Sequence, residues 1–117
     1  MAIVLVISRP DKPEVRQEIS LDGKKMILGH SVYCDVKLDD KLVGSMQCEV
    51  LTAKSGHIVI NNLDQKREVY INQTRLKRSS LKSSDILKIG PFIITIDPDK
   101  LTQDELAVIN TEWIEYC

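Results

Sequence analysis

Residues 28–50 read "LGHSVYCDVKLDDKLVGSMQCEV" and crowd an imidazole (His30), two thiols (Cys34, Cys48), three hydroxyls, an amide (Gln47) and several carboxylates into one stretch. Nucleophilic catalysis needs a serine or cysteine beside a base, with a third group to orient that base. No such nucleophile–base pair stands out along the chain. Structural metal sites announce themselves as C-x-x-C or H-x-x-x-H spacings, and neither occurs. Cys48 alternates with Met46 and Val50, which predicts a core face carrying all three. Cys34 precedes a strand and reads as half-exposed, and His57 opens a strand and reads as structural. Cys117 ends the sequence without a prenylation box. The chemistry-bearing residues therefore predict no catalytic group, no cofactor and no metal.

Charge narrows the partner. The 117 residues carry a net charge of −1, with 43% hydrophobic and 28% charged residues. That balance fits one soluble globular domain. The basic run "RLKRSSLK", residues 75–82, has no interleaved aromatics on which bases would stack, so nucleic acid is not expected. No apolar run approaches the roughly 20 residues of a membrane helix, and the start lacks the features of a signal peptide, so no membrane insertion is expected. Three widely spaced cysteines argue against a disulfide framework and point to a reducing cytoplasm. Residues 65–96 hold seven basic and two acidic residues, and residues 97–117 hold six acidic and one basic. This asymmetry offers a basic side to an acidic partner, although solvated loops are the simpler account of such a run.

The elements that would position these residues are short strands. "AIVLVIS" is β-branched, "EVRQEISL" places Val15, Gln17, Ile19 and Leu21 on one face, and Asp22-Gly23 is a hairpin signal. "KMILG", "DVKL", "MQCEVLTA", "HIVIN", "VYIN", "TRL", "DILKI" and "FIITID" follow, broken by Asp39-Asp40, Ser55-Gly56 and Gly90-Pro91. The pattern predicts an all-β antiparallel sandwich of about 11 short strands over residues 1–100. Residues 101–117 read as a helical tail. Thr102 to Glu105 fits a capping box, and Leu106, Ile109 and Trp113 share one helical face. So short a helix needs a surface to dock on, and the sandwich itself is the expected one.

Four blocks in order carry a resemblance. "ILGHSVYCDVKLDD", "VGSMQCEV", "INNLDQKREVYINQTRL" and "LKSSDILKIGPFIITI" together resemble a forkhead-associated domain, a phosphothreonine-binding β-sandwich. The resemblance runs from about Lys25 to Asp97. It implies a scaffold through Gly29, Asp35, Val50, Leu63, Tyr70, Asn72, Asp85 and Gly90. The residues that would hold phosphate differ. The family arginine after the glycine is His30 here. Its serine and following arginine are Gly44 and Ser45. Its loop-bracing histidine is Gln47, and its asparagine, glycine and threonine are Arg67, Glu68 and Val69.

A phosphothreonine brings nearly two negative charges and three acceptor oxygens, which call for a guanidinium fork, a hydroxyl and backbone N–H groups. Each hydrogen bond to a charged group is worth about 1.5–3 kcal/mol. Losing three removes roughly 5–8 kcal/mol, against about 8 kcal/mol for a whole micromolar complex. The resemblance thus implies a degenerate domain: a non-catalytic, phosphorylation-independent protein–protein interaction module, acting as adaptor or regulatory subunit. Its partner-binding loops span residues 30–33, 39–45 and 64–68, with His30, Ser31, Ser45, Gln47, Lys66, Arg67 and Asn72 as candidate contacts. One alternative is a phosphopeptide site rewired from Ser45, Lys66, Arg67 and His30. Another is a structural subunit of a larger assembly. Nothing in the sequence sets an oligomeric state.

Overall fold

The structure, a computed structural model, describes residues 3–21 and 25–114. The Asp22-Gly23 turn and Cys117 lie outside the described residues. Among the described residues, eleven strands form two sheets. The first strand, β1 (Ile3–Ser8), points Ile3, Leu5 and Ile7 inward and pairs on one side with β2 (Arg16–Leu21). Its other neighbour is β11 (Phe92–Ile96), whose Phe92, Ile94 and Ile96 face the same core. β10 (Leu87–Ile89), β7 (Val69–Ile71) and β8 (Thr74–Arg75) complete the order β2-β1-β11-β10-β7-β8.

The opposite sheet contains β3 (Met26–Gly29), β4 (Val36–Lys37), β5 (Cys48–Thr52), β6 (Ile58–Asn62) and β9 (Arg78–Leu81), in the order β4-β3-β5-β6-β9. The fold is thus the expected β-sandwich. One pairing departs from the antiparallel pattern: β3 and β4 run parallel, with Leu28 beside Val36. The two sheets enclose Leu5, Ile7, Leu28, Ile58, Ile60, Leu81, Leu87 and Ile94, each no more than 1% exposed. Full burial of each such side chain contributes about 1.5–3 kcal/mol, so this core outweighs any single surface contact.

The chain then turns through a short 3-10 helix, Pro98–Lys100, into α1 (Gln103–Ile109). The capping box forms: Glu105 N donates to Thr102 Oγ1 at 3.1 Å, and Thr102 N donates to Glu105 Oε1 at 2.8 Å. The Thr102 N–H bond, with a second from Thr102 Oγ1 at 3.1 Å, holds the Glu105 carboxyl below its ordinary range. Leu101 and Ile109 join the core, and Leu106 packs against it. The helix stops sooner than its apolar spacing suggests. Asn110 caps it and accepts from Ser83 N and Oγ, both at 3.0 Å, so Trp113 lies past the helix. Trp113 stacks instead under the Arg78 guanidinium, 5.5 Å from its ring centre. His57, 7% exposed, ties down the same segment: its Nε2 meets Thr111 Oγ1 at 2.9 Å, and Ser55 Oγ lies 2.6 Å from Nδ1. Thr111 already donates its hydroxyl proton to the Val108 carbonyl at 2.6 Å, so His57 donates to it from Nε2.

Candidate functional site

Register builds the platform. Leu28 pairs with Cys48, and Cys48 with Asn62, so the end of β3, the start of β5 and the end of β6 stand level. The segments after Gly29, before Cys48 and after Asn62 therefore leave the sheet at one end. At Gly29 the first two come into contact. A Cβ there would lie 2.4 Å from the Ser45 carbonyl oxygen and 2.9 Å from that of Gly44. Only glycine permits this approach. His30 N then donates to Gly44 O at 2.9 Å and Ser31 N to Ser45 O at 3.1 Å, with Cys34 Sγ donating to the same Ser45 carbonyl at 3.0 Å.

Gln47 binds the second segment to the third. It is 1% exposed. Its Oε1 accepts from Gly44 N at 2.8 Å, and its Nε2 donates to Asn62 Oδ1 at 2.8 Å and to Asp64 O at 3.2 Å. Asn62, also buried, accepts from Asp64 N at 3.2 Å and donates to Arg67 O at 3.1 Å. A buried amide pair in which every polar atom has a partner stiffens the loops around it. The sequence pattern put Met46 inside and Gln47 outside; the structure reverses them, with Met46 half exposed. Strand β5 begins only at Cys48, so the two residues before it do not follow strand alternation, and Gln47 turns in to meet Gly44 and Asn62.

An open depression forms between the segments, and His30, Ser45, Lys66 and Arg67 line it with Lys41, Met46, Leu63 and Asp64. The structure thus gathers four of the seven candidate contacts. Ser31 is spent locally, accepting from Tyr33 N at 3.1 Å. Gln47 lies beneath the surface. Asn72 stands elsewhere, in the β7–β8 turn, where its side chain donates to Asp85 Oδ1 at 2.7 Å and accepts from Ile86 N at 2.9 Å. Those bonds make it a brace between two turns.

The guanidinium and the imidazole of the depression are committed, and its two ammonium groups are not. Arg67 donates to Asp64 Oδ2 at 2.7 Å, while Asp64 Oδ1 accepts from Lys66 N at 3.1 Å. His30 donates from Nδ1 to the Asp40 carbonyl at 3.1 Å, because a carbonyl only accepts, and its Nε2 faces Asp39 at 4.0 Å. Lys41 and Lys66 have no side-chain partner among the described residues. Apolar groups fill much of the remaining surface. Val32, Tyr33, Leu42, Met46 and Leu63 are between 47% and 89% exposed, all in these segments. Met46 carries a strand period that points it the wrong way; the other four are scattered through loops, with no periodicity to mark them.

Arg9 also escaped the sequence reading. It is 8% exposed, forks onto Asp11 at 2.8 and 3.0 Å, reaches Asp40 at 3.3 Å and lies over the Phe92 ring at 5.3 Å. It thereby anchors the second segment to the opposite sheet. The Arg9 hydrogen bond holds the Asp11 carboxyl below its ordinary range. Among the described residues, no group of three or more His, Cys, Asp or Glu side chains gathers to hold a metal ion. No helix of the described residues is long and apolar enough to cross a membrane.

Comparison with known proteins gives the same architecture. The family model for the FHA domain matches residues 26–90. Among solved structures, the chain is similar to the FHA domain of the CT664 protein from Chlamydia trachomatis, with 18% identity and a TM-score of 0.72, covering 82% of this chain and 96% of that one. It is similar to the FhaA FHA domain, which was solved complexed with the intracellular domain of Rv3910. That match has 15% identity, a TM-score of 0.68 and coverage of 80% and 99%. A third similar structure comes from a structural and functional analysis of phosphothreonine-dependent FHA domain interactions, at 15% identity, a TM-score of 0.70 and coverage of 84% and 99%. At these identities the likeness is one of fold. No curated protein matches the chain.

Proposed function

The chain belongs to the FHA domain family, and on that premise we propose that it is a non-catalytic protein-interaction module whose loop end binds its partner without phosphorylation. Domains of this family serve protein–protein interaction, often by binding phosphopeptides. One observation carries the departure from phosphate: Arg67, the guanidinium lining the depression, is closed on Asp64 at 2.7 Å. A partner phosphate would have to displace that carboxylate and then sit beside it, against like-charge repulsion. The exposed Val32, Tyr33, Leu42, Met46 and Leu63 supply contact area of the kind a protein partner covers. Lys41 and Lys66 add positive charge at the rim, which favours a partner framed by acidic residues and acts mainly on association rate. A role as adaptor or regulatory subunit in a cytoplasmic setting belongs to the same reading, and Cys34 and Cys48 as free thiols support that setting.

The second reading, a rewired phosphothreonine site, draws support from the gathering of His30, Ser45, Lys66 and Arg67 round one depression. Titration with a degenerate phosphothreonine peptide library and its unphosphorylated twin separates the two. The proposed function expects no preference for the phosphorylated pool. Phosphate-dependent binding that Ser45→Ala or Arg67→Ala abolishes would overturn it. Affinity capture with the intact domain, against a Met46→Asp/Leu63→Asp variant, then tests the surface: partners retained by both would place the contact elsewhere.

A further inference from the structure

Asp64 occupies a particular point in the loop end. Its Oδ2 is 2.7 Å from Arg67 Nη1, and its Oδ1 accepts from Lys66 N at 3.1 Å. Across the gap, a Cβ on Gly44 would lie 2.6 Å from the same Oδ2 and 3.4 Å from Asp64 Cβ. Its backbone is held from below by Gln47 Nε2 on the carbonyl and Asn62 Oδ1 on the N–H. An oxyanion is thus already present, fixed between a guanidinium, a backbone N–H and a glycine that leaves it room. The guanidinium and the N–H are donors of the kind a tetrahedral oxyanion would use.

We propose that Asp64 is the specificity-determining residue of this loop end: an internal carboxylate that fills the anion position and so excludes phosphate monoesters. This inference rests on the phosphorylation-independent reading and gives its cause. A Cβ at position 44 would meet Asp64 Oδ2 at 2.6 Å and Gln47 Oε1 at 3.0 Å, so a serine there requires the carboxylate to be absent or moved and the Gln47 amide to give slightly. A turn-forming aspartate would by itself account for the Lys66 N–H bond, but that bond needs neither the Arg67 Nη1 contact nor the space opposite. Removing the carboxylate leaves Arg67 Nη1 and Lys66 N facing an open depression together with the Lys66 ammonium and the Ser45 hydroxyl. A dianion entering it recovers at least two charge-assisted hydrogen bonds.

The test is a titration of the folded domain with O-phosphothreonine and, separately, inorganic phosphate at constant ionic strength, followed by amide shifts of residues 44–47 and 64–67. The wild-type chain, Asp64→Ala and Asp64→Ala/Arg67→Ala are compared. Asp64→Ala is expected to bind phosphothreonine at least about tenfold more tightly than wild type, with the gain lost in the double variant. Asp64→Asn keeps an oxygen for Lys66 N and removes the charge, so it carries the test where the alanine variant unfolds. Folded Asp64 variants that bind no better than a non-binding wild type would overturn the role of Asp64 and leave the phosphorylation-independent reading intact. Tight, saturable binding by wild type itself would overturn both. A gain that Arg67→Ala leaves unchanged would mean an adventitious ion only, and would also reject the proposal.

Discussion

Gln47 and Asn62 meet side chain to side chain at 2.8 Å beneath the loop end, and each also holds a backbone group of a different loop. Breaking one member strands the other in the interior. Gln47→Ala leaves Gly44 N without its acceptor and Asn62 Oδ1 short of a donor, so stability is expected to fall by about 2–4 kcal/mol. Asn62→Ala should cost a similar amount, and the double variant much less than the sum, because both act on one network. Urea unfolding of the four proteins measures this; additive losses would mean the amide pair does not act as a unit.

Gln73 sits with φ at 72° beside Asn72 at 48°, the two central residues of the β7–β8 hairpin. Two-residue hairpin turns of this hand favour Asn-Gly, since glycine alone enters that region freely. Gln73→Gly is therefore expected to stabilise the domain by about 1 kcal/mol, less whatever entropy the glycine adds to the unfolded chain. Asn72→Ala should do the reverse, because Asp85 and Ile86 lose their shared partner. Paired thermal melts would show the two shifts in opposite directions.

Cys48 is fully buried, and burial pushes its thiol up to about 12 from 9.0. Between those values the unfolded chain releases a proton that the folded chain keeps. The unfolded state then binds fewer protons, so stability falls as pH rises through this window, by about 1.4 kcal/mol per pH unit. Cys48→Ala should lack that decline while being less stable at about pH 8, where the thiol is neutral in both states. In a Cys117→Ser background, a thiol-reactive disulfide should modify Cys34 in the native protein and reach Cys48 only on unfolding.

The single tryptophan gives the tail its own reporter. Ile109→Ala removes a side chain only 1% exposed and should cost about 2–4 kcal/mol. Arg78→Ala strips the guanidinium from the Trp113 face and the bond to Asn61 Oδ1 at 2.6 Å. Its expected signature is a red shift of Trp113 emission with a stability loss of about 1 kcal/mol. An unshifted spectrum would place the indole in the same surroundings with and without Arg78.

Alternation of apolar residues made most strands legible, because β-branched runs facing a core leave a period of two. β9 was not legible in this way: Ser79 and Ser80 occupy its middle, and it is a strand because β6 offers its edge at Ile58 through Asn61. The helix start could be read from Thr102 and Glu105, which act within four residues, whereas its end depends on Ser83 bonding Asn110 from another part of the chain. The same distinction divides the candidate site. His30, Ser45, Lys66 and Arg67 could be placed on loops from their blocks in the sequence. That Arg67 is held by Asp64, that Gln47 turns inward and that Arg9 reaches Asp40 are facts of side-chain direction, which residue types alone do not carry.

The inward attachment of Gln47 has a consequence for how partner choice can change. The frame of the loop end is fastened from below, by buried amides and by the backbone contact at Gly29. Val32, Tyr33, Leu42, Met46 and Leu63 contribute no side-chain hydrogen bond to that frame. On the proposed reading, their replacement would change which partner the domain prefers while leaving the frame beneath intact. The outer layer is then interchangeable, like a facing on a fixed bracket.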